Sequence, residues 1–468
     1  MRSLVDQATE RIIRLLSTLE EQPLDGTADV APDTVAAAAE PLPRAGVPFA
    51  SLLEQLFEIA MPRSLNAASP GFMGYVPGGG LFHAAIADLI SNATNRYVGV
   101  AAVAPLLTQI EANVVRWFCE IVGYPASARG FLTSGGSLAN LSAAVTAREI
   151  QLGEDFLRGT IYVSDQVHHC VTKAARLAGL PARNVRILPT DGTFALDPQA
   201  VRDAVAADRS RGFVPFLLVA SAGTTNTGTI DPLGALARIA REAHLWYHID
   251  AAYGGFYRMT DRGRARLEGL ELADSIVLDP HKTLFLPYGT GALLVRDGRH
   301  LQAVHGSSAD YLPPMQPQDE LVDFCEISPE LTRPFRGLRV WLPFKMHGAD
   351  AFRDCLDEKL TLARWVAQRL HGFAELEVLV EPTLSILAFA VRSADSTAER
   401  NARTRALLDR INARQRVHLT GTKLHGVFAI RVAIGVFRTH HSHVERLLEE
   451  IEAALAADPP GVAGERHR

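Results

Sequence analysis

The chain has 468 residues, 47% of them apolar, which is enough to build a large core divided into about three units at ~150 residues each. Lysine and arginine number 47 against 52 aspartates and glutamates, a net charge of −5, so neither nucleic acid nor an anionic membrane is the expected partner. No apolar run reaches the ~18–20 residues that span a bilayer; the longest, Tyr97 to Leu107, contains Gly99 and Pro105.

In chain order, the first predicted element is a helix over Met1 to Glu21. Leu4, Ala8, Ile12, Leu15, Leu16 and Leu19 share one face, and Asp6, Glu10 and Arg14 break up any signal-peptide core. A Pro- and Ala-rich connection, Pro23 to Pro48, leads to a second helix from about Phe49 to Met61. Two helices alone cannot enclose a core, so this segment is expected to pack on a partner subunit. From Ser69 to Val340 short apolar strands alternate with helices. The strands are expected at Thr160–Ser164, Val185–Leu188, Phe216–Ala220, Trp246–Ile249, Ser275–Leu278 and Gly291–Val295, which implies a largely parallel sheet covered on both faces. Beyond Trp341, helices near Phe344–His371 and Ala398–Arg414 are interleaved with strands Glu377–Val380, Ile386–Val391, Val417–Thr420 and Ala429–Ala433, and a last helix runs from His443 to Ala457. The expected division is an N-terminal helical dimerisation segment (1–68), a large α/β domain (69–340), a small α+β domain (341–458) and a disordered tail (459–468). Cys119, Cys170, Cys325 and Cys355 show no CxxC pairing, as expected of reduced thiols in a cytoplasmic protein.

Three places can carry chemistry. Thr133-Ser134-Gly135-Gly136-Ser137 follows a strand-like Gly130–Leu132 and opens a helix. It reads either as a turn with a serine cap or as an anion site, in which backbone N–H groups and the Ser134 and Ser137 hydroxyls face the ligand. The glycines match neither GxxxxGK[ST] nor GxGxxG. Asp250, in His248-Ile249-Asp250-Ala251-Ala252-Tyr253, ends an apolar strand; it either caps the following turn or pairs with a cation from a ligand. Lys282, in Asp279-Pro280-His281-Lys282-Thr283, also follows a strand and is either a surface charge or an amine kept for Schiff-base chemistry. An anion site, a carboxylate and a lysine on the strand ends of one sheet together suit pyridoxal phosphate: the turn holds phosphate, Asp250 keeps the ring nitrogen protonated and Lys282 takes the aldehyde. His440, His441 and His443 have no ligand-spaced acidic or cysteine partner, so they are expected to open a helix, and no metal site is expected.

With Asp165-Gln166-Val167-His168, Gly223-Thr224-Thr225, Asp250-Ala251-Ala252-Tyr253, Pro280-His281-Lys282 and Arg333-Pro334-Phe335-Arg336, the chain from about Ser51 to Ala454 resembles the group II pyridoxal-phosphate decarboxylases, most closely their aromatic-L-amino-acid branch. The resemblance implies a fold-type-I, PLP-dependent transferase-like α/β fold with a smaller C-terminal α+β domain. It implies a lyase that decarboxylates an aromatic or apolar L-amino acid to an amine. It also implies a homodimer whose catalytic loop reaches the neighbour's active site. By position, His168 would stack on one face of the cofactor ring and Ala252 on the other, and Thr225 would lie near the phenolic oxygen. Ser134, Gly135, Gly136 and Ser137 would hold the phosphate, with Asp279 and His281 at the cofactor and Tyr75, Tyr97 and Gly99 at the substrate. Tyr311 would be the loop tyrosine that returns a proton after carbon dioxide leaves.

The chain departs from the family pattern at several places. Asp279 stands where asparagine is common, Thr283 where a bulky apolar residue is common, and His169 where a small residue is common. Ala67, Tyr97 and Gly99 match positions that the aromatic branch lines with large apolar side chains, so a reshaped substrate pocket is expected. Two other functions share the resemblance: an aldehyde synthase that couples decarboxylation to oxidative deamination, and a cofactor-binding homologue without turnover. Tyr311 argues against the first, and Lys282, Asp250, His168 and Tyr311 together argue against the second.

Overall fold

Strands rich in Val, Ile, Leu and Phe, with no polar alternation, must be buried on both faces. Most of the seven strands of the large sheet are of this kind: β1 (Arg129–Thr133), β2 (Gly159–Ser164), β3 (Val185–Leu188), β4 (Val214–Ser221), β5 (Trp246–Asp250), β6 (Ser275–Leu278) and β7 (Gly291–Val295), of which β3, at the edge, keeps Ile187 exposed. The computed structural model describes residues 1–27, 30–306, 321–392 and 396–457. The strand order is β1-β7-β6-β5-β4-β2-β3, parallel from β3 to β6, with β7 antiparallel to both β6 and β1. Ile161, Leu218, Ile249, Ile276 and Leu293 are buried within it. Helices Pro105–Val122, Gly136–Leu152, His169–Leu177, Pro198–Ser210 and Leu233–Glu242 supply the crossovers and the cover.

The chain divides into two compact units. One comprises Gly80–Arg364 with Val380–Ala388, and holds the large sheet. The other comprises Met1–Gly79, Trp365–Leu379 and the chain from Phe389. The remaining strands, β8 (Leu376–Val380), β9 (Ile386–Val391), β10 (Thr420–Leu424) and β11 (Val427–Ala433), form a sheet in the order β10-β11-β9-β8.

Several elements differ from the sequence expectation. The strand placed at Val417–Thr420 lies at Thr420–Leu424 instead, because His418 is held in a single bridge with Phe72: Met73 N–H donates to His418 O (2.9 Å) and His418 N–H to Gly71 O (3.0 Å). The helix expected over Phe49–Met61 is α-helical only for Phe49–Glu54 and continues as a π turn, Gln55–Ala60, and a 3-10 turn, Met61–Arg63. The helix expected to start at Phe344 starts at Gly337 and is broken at Gly348, whose φ of 76° suits a residue without a Cβ. The N-terminal helix is Arg2–Ser17, with none of its residues buried. His440, His441 and His443 open helix His441–Ala456, where the His440 N–H donates to His443 Nδ1 (3.0 Å). All four cysteines are free, and among the described residues no helix is long and apolar enough to cross a membrane. The tail 459–468 and Tyr311 lie outside the described residues.

Candidate active site

The register of the large sheet gathers the chemistry on one edge. Asp250 ends β5 opposite Ser221 of β4 and Val277 of β6; Thr133 ends β1 opposite Gly291, next to the Leu278–Ala292 pair of β6 and β7. The turns after β1, β5 and β6 therefore open on the same side, where open α/β sheets place their ligands. A cavity of about 450 Å³ lies there. Ser134, Gly135, Gly136, Ser137, His168, Thr225, Asp250, Ala252, Asp279, His281 and Lys282, every cofactor-side residue named from the sequence, line it.

Each wall has a local cause. No side chain caps helix Gly136–Leu152, so its first N–H groups are left for a ligand. Thr133 tightens the preceding turn, its hydroxyl donating to Gly135 O (3.0 Å) and accepting from Gly135 N–H (3.2 Å). A Cβ on Gly136 would lie 2.8 Å from Asp279 Oδ2, so a glycine keeps this cradle open. His168 is both the cap of helix His169–Leu177 and a cavity wall. Its Nδ1 accepts from Cys170 N–H (3.3 Å), which leaves the proton of the neutral ring on Nε2. Its ring lies 4.2 Å from that of His169.

Electrostatics separates the titrating groups. Lys282 Nζ is 3.0 Å from Asp279 Oδ2. Burial pulls the Lys282 ammonium down, but the charges of Asp279 and Asp250 outweigh it and hold its pKa above the usual lysine value. Burial holds both His168 and His281 below the ordinary histidine range, and His281 Nδ1 lies 2.6 Å from Thr290 O. The Cys170 thiol, buried and close to the Asp250 charge, is pushed up to about 12 and stays protonated. Asp250 Oδ1 accepts from Ala252 N–H (3.1 Å) and Oδ2 from Asn140 Nδ2 (3.1 Å). One amine, two carboxylates and one anion cradle thus share a cavity.

The sequence of residues 32–392 matches the pyridoxal-dependent decarboxylase conserved domain. The chain belongs to the pyridoxal-dependent decarboxylases. An aromatic-L-amino-acid decarboxylase of Bacillus atrophaeus is 31% identical to this decarboxylase over 458 residues, 97% of this chain and 95% of that one. A phenylacetaldehyde synthase of Arabidopsis thaliana is 28% identical over 407 residues, 84% of this chain and 83% of that one. The crystal structure of Oryza sativa TDC with PLP and tryptamine matches with a TM-score of 0.91 at 27% identity, covering 97% of both chains. The decarboxylase acts on an amino acid, and its cofactor is pyridoxal phosphate. The cavity fits that group: the Gly136 cradle opens at the uncapped helix end, Lys282 lines the same space, and among the described residues Asp250 accepts one hydrogen bond at each oxygen.

Of the substrate-side residues, Tyr97 and Gly99 do not line this cavity. The Tyr97 hydroxyl donates to Leu331 O (2.8 Å), and a Cβ on Gly99 would meet that hydroxyl at 2.6 Å. Tyr75 belongs to the other unit, is exposed with a φ of 48°, and its carbonyl accepts from Arg431. Sequence reasoning missed Asn140, Cys170 and Tyr288, which also line the cavity. Asn140 had a signal, since a buried asparagine inside a helix is disfavoured unless its amide has partners. Cys170 and Tyr288 carried none.

Proposed function

We propose that this decarboxylase converts an aromatic or apolar L-amino acid to its amine, as a cytoplasmic homodimer with the active site at the subunit interface. The observation that carries the residue roles is the opening of Lys282, Asp250 and the Gly136 helix end on one cavity. When bound, pyridoxal phosphate supplies an electron sink for the pair released as the Cα–carboxylate bond breaks. Lys282 would hold the cofactor through its amine, which lines the cavity and is the group suited to an aldehyde. Asp250 faces the ring nitrogen and keeps it protonated. Ser134 and Ser137, with the Gly135 and Gly136 backbone, bind the phosphate. His168 and Ala252 would hold the two ring faces, Thr225 would lie by the phenolic oxygen, and Asp279 and His281 would lie at the cofactor. Tyr311, assigned from the family pattern alone, delivers a proton to the substrate α-carbon after carbon dioxide departs. Tyr75, Tyr97 and Gly99 shape the substrate side.

The similarity to an aromatic-L-amino-acid decarboxylase and to a structure holding tryptamine supports the substrate class. Exposed apolar side chains support the homodimer: Ile86, Leu89, Ile90 and Leu106 in one unit, and Leu52, Leu56 and Ile59 in the other. Four free thiols suit the cytoplasm. Carbon dioxide release screened over the common L-amino acids tests the reading. Highest kcat/KM on tryptophan, tyrosine, phenylalanine or an aliphatic residue is expected, and exclusive turnover of glutamate or aspartate refutes it. The similarity to a phenylacetaldehyde synthase favours one second reading, in which aldehyde is the main product; assaying aldehyde beside amine separates the two.

A further inference from the structure

From Asn140 at the cavity wall a polar chain runs back along β5 behind Asp250, and the proposed reaction does not use it. Trp246, His248 and Asp250 alternate along β5 and so share one face of the sheet; Ser275 of β6 is in register with His248. Trp246 Nε1 donates to Ser275 Oγ (2.8 Å), His248 Nδ1 lies 2.7 Å from the same oxygen, and His248 Nε2 lies 3.0 Å from Asn140 Oδ1. All of these side chains are buried.

The direction of every bond follows from what each atom can do. Asn140 Nδ2 faces two pure acceptors, Gly136 O (3.0 Å) and Asp250 Oδ2 (3.1 Å), so the amide is oriented with Oδ1 toward His248. An amide oxygen accepts only, so His248 Nε2 carries the proton. Burial lowers the His248 pKa to about 4, so the ring is neutral and Nδ1 is an acceptor. Ser275, whose oxygen already accepts from Trp246, therefore donates to Nδ1. Every donor in the row points toward Asp250.

We propose that Trp246, Ser275, His248 and Asn140 form a directed hydrogen-bond chain that positions the Asp250 carboxylate against the cofactor's ring nitrogen. This rests on the role given to Asp250 above. With Oδ1 held by Ala252 N–H and Oδ2 by Asn140, rotation of the carboxylate is blocked and its remaining lone pairs face the cavity. Aligned donors also polarise one another, which strengthens each bond in the row. Asn140 and His248 are positioning residues: they reach the ring nitrogen only through Asp250.

The test compares equilibrium binding of pyridoxal phosphate and of 1-deazapyridoxal phosphate, in which a C–H replaces the ring nitrogen, to the cofactor-free protein, followed by absorbance. Wild type should prefer pyridoxal phosphate, and Asp250→Asn should erase the preference. Asn140→Ala should cut it about tenfold, the scale of one hydrogen bond to a charged group, and His248→Phe, which removes a neutral hydrogen bond, several-fold, while binding of the deaza compound changes little. His248→Gln, whose amide can still donate to Asn140, should keep most of it, and Ser275→Ala should lose an intermediate share. Equal weakening of both ligands in the Asn140 and His248 variants, or no change in preference, overturns the chain. A preference that survives Asp250→Asn overturns the assignment of Asp250 itself, so the two failures are told apart.

Discussion

At Lys282 the decisive quantity is a proton. Only the neutral amine attacks an aldehyde, yet Asp279 and Asp250 hold the ammonium form above its usual pKa despite burial. Capture of pyridoxal phosphate by the cofactor-free protein should therefore speed up as pH rises, until that raised pKa is passed. Asp279→Asn removes a charge and the 3.0 Å contact, so the midpoint should move to lower pH and capture at pH ~8 should be several-fold faster. Stopped-flow absorbance from pH ~7.5 to ~11.5, a window that spans the usual lysine value of about 10.4, gives the profile, and an unmoved midpoint would show that Asp279 does not control the amine. His168 and His281, held low by burial, are neutral across that window and do not confuse it. Tyr311→Phe addresses the later proton. Loss of the phenol should leave carbon dioxide release largely intact while amine yield falls. Under air, dioxygen should then take two electrons from the unprotonated α-carbon and leave as hydrogen peroxide, and water should hydrolyse the resulting imine to aldehyde and ammonia. An amine-to-aldehyde ratio that is unchanged with and without oxygen would assign the proton to another donor.

At the scale of elements, the turn after β1 is held from behind. Arg333 and Glu111 form an ion pair at 2.5 Å with both side chains fully buried, and Arg333 (3.1 Å) and Arg336 (3.3 Å) both donate to Leu132 O, one residue before the turn. A buried pair adds little net stability, but removing one partner strands a charge. Arg333→Met should cost about 3–5 kcal/mol, read from the urea midpoint. Adding Glu111→Leu should recover most of that loss but not the cofactor affinity, because the Leu132 carbonyl loses its Arg333 donor in both variants. A single variant as stable as wild type would contradict this account. The Arg333-Pro334-Phe335-Arg336 motif was visible in the sequence without a task, since Glu111 and Leu132 are far from it along the chain.

For the whole molecule, the proposed homodimer predicts complementation. Lys282→Ala homodimers lack the amine, and Tyr311→Phe homodimers lack the phenol. If each site takes Lys282 from one subunit and Tyr311 from the other, a mixed dimer regains one intact site. Amine production in the exchanged mixture should then rise toward about half the wild-type rate per mixed dimer, by the symmetry of two equivalent sites. No recovery after verified exchange would place both residues of a site on one subunit. Local pattern was sufficient for much of this molecule. Short apolar runs marked β2 to β7, with β6 and β7 at their observed limits because residues buried on both faces leave no polar alternation to blur their ends; β3, at the sheet edge with Arg186 inside it and Ile187 exposed, also lies at its expected limits. The strand-end positions of Asp250 and Lys282 and the small-residue turn at Ser134–Ser137 were legible for the same local reason. Tertiary structure alone decided the antiparallel direction of β7, the shift of a strand to Thr420–Leu424, the Asp279–Lys282 contact and the chain from Trp246 to Asp250. Each depends on which distant residues are brought within hydrogen-bonding distance. Sequence spacing carries no record of that distance until the strands have paired and the helices have packed.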